Sequence, residues 1–459
     1  MSLLVLLQKI YFLVQDISLK NINRLAIPAL IAGVAEPILS ITDTAIIGNM
    51  DFNATESLAA VGIVGAFISM LVWVFGQIRS AISSILSQYL GANKIDEVKE
   101  LPSQAITIVV LGSLLVIALT YPFSEYIFRL YNAKDLVLEY CIDYFNIRIF
   151  GFPFALLVFA IFGVFRGLQN TFIPMIIAII GTIINIVLDV AFIYGIDGLI
   201  PAMHIKGAAY ASVCAQVSMA IISAVLLLRK TNIKLRIRLP FHPEIKRLLN
   251  MVGNLFVRTI ALNIALYFAT AYATSYGKEY IAAYTITINL WLLAAFMIDG
   301  FASAGNILSG KLLGAKQYSL LLNLSRKLLL YGLVTGLIMA LVGLLLYGFI
   351  GKIFTQEVLV LEEFYNVFWL VLLSLPISAV TFIFDGMFKG MGEMKYLRNV
   401  LIFSTALVFL PSLLLTDYFD LKLFAIWIAF TFWIIARGLP LIVKFRKTFV
   451  PLSKKAVES

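Results

Sequence analysis

The chain is built from apolar stretches of roughly 20 residues or more, the length at which a helix matches the hydrocarbon core of a bilayer. Twelve can be read: 24–49, 57–86, 101–122, 136–165, 171–195 and 206–229, then 248–276, 280–312, 322–348, 360–388, 397–417 and 421–443. In hydrocarbon every backbone amide must find its partner within the protein, which leaves helices or a closed barrel. Barrel strands alternate polar and apolar residues over about ten positions, and no such alternation occurs here. With 61% hydrophobic and 13% charged residues, the chain also lacks the polar surface of a soluble domain. The expectation is an all-α polytopic membrane protein.

Charge sets the topology. With the N-terminus inside, 25 of the 35 Lys and Arg fall in cytoplasmic segments and six (Arg129, Lys134, Lys206, Lys278, Lys352, Lys422) fall outside, the bias of the positive-inside rule. Seven of them crowd "RKTNIKLRIRLPFHPEIKR" (229–247), which marks a cytoplasmic central loop. The net charge of +10 therefore speaks of topology and membrane lipids, not of nucleic acid. Both termini are expected in the cytoplasm and the protein in the plasma (inner) membrane. The opening "MSLLVLLQKIYFLVQD" lacks a basic start and a small-residue cleavage site, so an interfacial helix over 1–20 is expected rather than a signal peptide. Cys141 and Cys214 lie in spans, His204 and His242 in loops, and they suggest neither a disulfide framework nor a metal cofactor. "GNILSGKL" (305–312) nearly spells a phosphate-binding loop, but Leu312 replaces the required hydroxyl and no strand precedes it.

The two halves share a plan. Leu90-Gly91-Ala92 and Leu313-Gly314-Ala315 close spans 2 and 8, while "FRG" (165–167) and "FKG" (388–390) close spans 4 and 10; both pairs are 223 residues apart. Six spans per half give the halves one orientation, related by a pseudo-two-fold axis along the membrane normal, as in parallel-repeat transporters. The expected division is an N-lobe at 21–230, a basic linker at 231–247, a C-lobe at 248–445 and a cytoplasmic tail at 446–459. The polar residues do not repeat: the same offset carries Asp43 to Leu266, Asn185 to Val408 and Asp189 to Ser412. An ion site confined to the N-lobe would produce that asymmetry, and so would drift in the second half.

An acidic side chain at a helix centre costs about 2.5–3.5 kcal/mol on insertion scales and usually faces a cavity or a partner. Glu36 and Asp43, seven residues apart, lie on nearly one face of span 1, roughly 10 Å apart along its axis. Pro28 and Pro37 each remove a backbone donor and let this span bend. In span 5, "NIVLD" makes Asn185 and Asp189 neighbours on one face. Two acids sharing a cavity could hold a proton, or their oxygens could ligate sodium; packing between helices is the plainer alternative. Arg258, Asp299 and Asp385 form a second set, in which Arg258 is expected to pair with an acid. Arg79, Arg148 and Asp143 are expected near span ends, reaching the headgroups.

"PILSITDTAIIGNM", "QNTFIPMIIAIIGTIINIVLDVAFIYG", "IKGAAYASVCAQ", "FMIDGFASAGNILSGKLLGAK" and "FIFDGMFKGMG" resemble multidrug and toxic compound extrusion (MATE) transporters, specifically the DinF-like branch. The resemblance spans both halves. It implies twelve helices in two six-helix lobes and secondary antiport of cationic or amphiphilic organic compounds. It places the family's first-helix aspartate on Asp43, its helix-bending proline on Pro28, its fifth-helix polar pair on Asn185 and Asp189, and a sixth-helix hydroxyl on Ser212. The "DGFA" and "DGMF" acids fall on Asp299 and Asp385; Lys389, where many relatives carry a neutral residue, is a departure expected at the cytoplasmic mouth.

Together these readings predict a multidrug efflux antiporter, monomeric and without a cofactor, coupled to H⁺ or Na⁺ through Asp43, Asn185, Asp189 and Ser212. Aromatic side chains from the 35 Phe and 20 Tyr are expected to line its cleft and hold flat cations. A flippase of a lipid-linked substrate on the same fold is the alternative, distinguished by a more cationic cavity. A membrane enzyme would need a catalytic constellation, and the sequence offers none.

Overall fold

The computed structural model describes residues 17–50, 53–196, 198–233 and 240–458. The expected interfacial helix at 1–20 therefore lies almost wholly outside the described residues, as does the middle of the central linker, 234–239. The N-lobe consists of α1 (Leu19–Gly48), α2 (Ala54–Gly91), α3 (Leu101–Thr120), α4 (Asp135–Gly167), α5 (Phe172–Ile193) and α6 (His204–Lys230). The C-lobe consists of α7 (Glu244–Tyr276), α8 (Lys278–Gly314), α9 (Tyr318–Leu345), α10 (Val358–Met391), α11 (Met394–Tyr418) and α12 (Leu423–Glu458). Eleven helical stretches, all except α1, are long and apolar enough to cross a bilayer among the described residues. The 30-residue α1 packs between α5 of its own lobe and α8 of the other.

Large apolar side chains cover the outside. On α3, Leu111, Leu115 and Leu119 are each about 60% exposed, an arrangement that hydrocarbon favours and water would not. Inside, aromatic residues dominate the C-lobe core, where Phe364, Phe368, Phe409, Trp427 and Phe430 are fully buried. Helix α12 runs on through Pro440 and Pro451 to Glu458, so the region expected as a cytoplasmic tail from 446 is helical as far as Glu458. In α11 the position equivalent to Asn185, Val408, falls in a π-helical turn (Thr405–Phe409) just ahead of Pro411, where the missing proline N–H disturbs the regular ladder.

The 223-residue repeat reaches down to single hydrogen bonds. Helix α2 ends with Lys94 N–H donating to the Tyr89 carbonyl (2.9 Å), and α8 ends with Gln317 N–H donating to the Leu312 carbonyl (2.9 Å). Asn93 and Lys316 both take left-handed backbone, φ 57° in each, the conformation that terminates a helix in this motif. Close backbone approaches repeat as well. A Cβ added at Gly163 would press on the Arg79 carbonyl oxygen, and one at Gly386 would overlap that of Ala302. Lipid gives no hydrophobic push between helices, so tight van der Waals contact across small residues does that work.

The lobes meet along α2 and α8 at the basic end of the bundle. Ser83 Oγ donates to Asn306 Oδ1 at 3.0 Å, joining two residues related by the repeat. Ser84 Oγ and Gln88 Nε2 both donate to the Gly390 carbonyl, at 2.9 and 2.8 Å. Gly91 faces the Lys311 carbonyl and Gly314 faces that of Gln88, each too close for any side chain. This seam closes one end of the space between the lobes.

Two glycine variants test the packing account. Gly386→Ala should lower stability by about 1–3 kcal/mol through overpacking. Gly112→Ala, whose Cβ would meet nothing within 4 Å, should be neutral or stabilising by about 0.4–1 kcal/mol. Thermal unfolding of purified protein in detergent distinguishes them; equal effects would contradict the close approach.

Candidate functional site

Helices α1, α5 and α6 bring four of the expected residues together. Asn185 and Asp189, one turn apart on α5, and Ser212 on α6 are buried, exposed by 2%, 0% and 4%. Asp43 on α1 is half-buried and lines the space between the lobes. The Asn185 amide, oriented to satisfy its neighbours, donates from its nitrogen to Asp43 Oδ1 at 3.0 Å and to Asp189 Oδ2 at 3.2 Å. Its oxygen then stands 3.4 Å from Ser212 Oγ and accepts from that hydroxyl. The carboxyl groups of Asp43 and Asp189 are within hydrogen-bonding reach of one another. Asp189 Oδ1 is buried, and no amide, hydroxyl or cationic donor reaches it among the described residues. A hydrogen bond between two carboxyl groups requires one proton, and a shared proton is the donor that this cluster lacks.

Pro28 is buried within α1, which runs through it without a break. The side chains of Glu36 and Pro37 lie outside what the structure describes. Two turns of α1 around Pro28 press on the other lobe: a Cβ at Gly300 of α8 would lie 2.8 Å from Leu30 Cβ and 2.9 Å from the Ala26 carbonyl oxygen. Asp299, next along α8, is exposed to the same interior space.

The second set is an ion cluster. Arg258 Nη2 meets Asp385 Oδ1 at 2.6 Å, and Lys389 Nζ meets Asp385 Oδ2 at 2.9 Å. The expected partner of Arg258 is thus Asp385, not Asp299. Lys389 is one turn along α10 from Asp385 and lines the interior next to Gly390 of the seam. Arg79 and Arg148 likewise line the interior instead of reaching headgroups. Both belong to helices longer than a bilayer needs, 38 residues in α2 and 33 in α4, so a position near an apolar boundary in the sequence still lies within the protein. Arg148 is close enough to Asp43 and Asp189 to act on both electrostatically. Arg166 and Arg437, which the sequence reading did not single out as site residues, also line the interior and are 7% and 4% exposed.

The acids and cations, with Asp189 set behind Asp43, surround one cavity of about 690 Å³, within the range of small-molecule sites. Its aromatic lining departs from expectation. Trp73, Trp291 and Trp433 contribute together with four Phe, whereas Tyr144 is the one lining tyrosine among the described residues.

A family model described as MatE matches residues 28–191 and 255–414, one block in each lobe and together well over half of the chain. The chain belongs to the MatE family. Among curated relatives it is similar to the DNA damage-inducible protein F of Escherichia coli (strain K12), 27% identical over 437 residues, covering 93% of this chain and 92% of that one. It is also similar to the probable multidrug resistance protein NorM of Pasteurella multocida (strain Pm70), 25% identical with 95% of each chain covered. Among solved structures, a MATE in the bent conformation superposes with a TM-score of 0.88, at 21% identity over 95% of this chain and 97% of the other. MatE proteins are membrane transporters, so this chain is a multi-pass membrane transporter and not an enzyme.

In this MatE transporter Asp385 alone balances two buried cations within ion-pair distance. Removing one partner of a buried ion pair strands the other, at a cost of about 3–5 kcal/mol. Asp385→Asn should therefore be strongly destabilised in a thermal unfolding assay, and adding Lys389→Gln should recover part of the loss. No recovery in the double variant would contradict the pairing.

Proposed function

We propose that the protein is a proton-coupled antiporter that exports amphiphilic organic compounds by alternating access, with Asp43, Asn185, Asp189 and Ser212 as the coupling site. The observation that carries this reading is the contact of two carboxyl groups around the Asn185 amide nitrogen. In the orientation that lets Asn185 donate to both acids, its N–H group fills the space between them and its oxygen turns towards Ser212; the reversed amide would gather oxygens there, as sodium requires. Two carboxylates so close cannot both stay ionised, and one proton satisfies the arrangement.

The seam at the basic end closes the cavity on the side the charge bias assigns to the cytoplasm, an arrangement open to the outside. A second proton arriving from there would neutralise the Asp43–Asp189 pair, replace the strong shared-proton bond by a weaker one between neutral carboxyl groups, and loosen the hold of α5 on α1. Bending of α1 at Pro28 would then move the turns that press on Gly300, carrying the change from the N-lobe to the wall of the cavity in the C-lobe. Coupling of this kind works through shape: the ion changes the population of two packings, each with its own affinity for cargo.

Proteoliposomes loaded with a fluorescent amphiphile test the proposal. An imposed pH gradient should drive transport and a sodium gradient alone should not. Asp43→Asn and Asp189→Asn, each folded by gel filtration, should fall to the rate of empty liposomes, while Ser212→Ala should keep measurable transport because it removes only the support of the amide. Full gradient-driven activity in the Asp43→Asn/Asp189→Asn double variant, or transport driven by sodium, would overturn it.

A further inference from the structure

The cavity carries the wrong sign for a binder of simple cations. Six basic side chains line it (Arg79, Arg148, Arg166, Arg258, Lys389 and Arg437), against three acids, Asp43, Asp299 and Asp385. Even with Asp189 counted behind Asp43 and each of these acids ionised, the balance among the described side chains stays positive by two charges.

The excess is concentrated on the floor. Arg166 and Lys389 are the basic residues of the repeated "FRG" and "FKG" segments, 223 residues apart, so the two lobes set one cation each beside the pseudo-two-fold axis. Lys389 shares Asp385 with Arg258, which leaves one carboxylate for two cations. Arg166 donates from Nη1 to Ser303 Oγ at 3.3 Å, while its Nε is buried without a partner among the described residues; the Nε of Arg258 is in the same position. Arg437 forms no ion pair among the described residues and stacks on Trp433, its guanidinium carbon 4.6 Å from the ring centroid and 5.8 Å from that of Phe382. Arg79 lies over Phe159 at 5.4 Å.

Two consequences follow from that packing. Buried cations in excess of their counter-charges cost free energy until an anion joins them. And three of the aromatic faces that a cationic drug would use are already covered by arginines of the protein itself. The uncovered remainder of the lining, including Trp73, Phe162 and Phe296, is apolar and suits a hydrocarbon or ring body.

We infer that the transported compound carries an anionic headgroup, a carboxylate or sulfonate on an apolar body, bound by Arg166, Lys389, Arg258 and Arg437 at the floor of the cavity. This rests on the export reading above and assigns its substrate class. A lipid-linked phosphate would present the same anionic chemistry, and the experiment distinguishes it from a free amphiphile.

The test uses a matched pair of probes with the same dansyl group and alkyl chain, one ending in a carboxylate and the other in a quaternary ammonium. Binding to the full-length protein in detergent, followed by dansyl fluorescence, should favour the carboxylate by about tenfold or more, a difference of ~1.4 kcal/mol. Arg166→Gln and Lys389→Gln should each weaken carboxylate binding by about tenfold, Lys389→Arg should retain it, and the weak ammonium binding should not fall in any of them. Thermal unfolding checks that each variant is folded. Equal or tighter binding of the ammonium probe by the wild type, or carboxylate affinity unchanged in both glutamine variants, would overturn the inference. Tighter binding of a lipid-linked phosphate than of the carboxylate would also overturn it in favour of the flippase class. Because no gradient is applied, the outcome is separable from proton coupling. A protein driven by ΔpH that prefers ammonium keeps the antiport reading and loses this one, and a protein that prefers carboxylate but ignores ΔpH does the reverse.

Discussion

An ionised side chain inside a bilayer has no water to screen it, so it needs a counter-charge, a proton or a water-filled space. The two lobes of this transporter meet that requirement in different ways. In the C-lobe, Asp385 stays charged because Arg258 and Lys389 hold both of its oxygens. In the N-lobe, Asp43 and Asp189 face each other around a neutral amide, with Arg148 nearby but no ion pair within 4 Å among the described residues. The first solution is a fixed charge; the second is satisfied by a particle that can come and go. A switch needs the second kind.

The scaffold around these groups is duplicated almost residue for residue. Helix ends, left-handed caps and the glycines on which α4 and α10 approach α2 and α8 recur at one offset. The seam between the lobes is itself self-complementary, since Ser83 bonds its own counterpart Asn306. Such a seam gives the two lobes a common edge, while leaving each free to acquire its own chemistry above it. The walls have diverged: the carboxyl pair of the N-lobe has only Leu266 and Ser412 opposite it in sequence, although each lobe contributes three of the cations that line the cavity.

Much of this was legible in the chain. Span length follows from bilayer thickness, and the repeat was visible in "LGA" and in "FRG" with "FKG" because backbone contact tolerates only glycine there. The i,i+4 spacing of Asn185 and Asp189 implied one face, and the structure brings Asp43 and Ser212 to it. What failed was the fate of the arginines. Apolar windows locate helices but not which flank faces inward, so Arg79 and Arg148 read as headgroup anchors. The identity of the aromatic lining was equally hidden, because a tryptophan facing a cavity and one facing lipid look the same in a sequence. The sign of the cavity emerges only when side chains remote in the chain are brought together.

The central claim is that the Asp43–Asp189 pair gives up its proton when cargo binds. The most direct measurement is proton release into weakly buffered detergent solution on adding a saturating organic substrate, read with a pH indicator at constant ionic strength. The account predicts proton release by the wild type and none by the Asp43→Asn/Asp189→Asn variant, although the variant still binds. Equal release from both, or none from a wild type that demonstrably binds substrate, would contradict it.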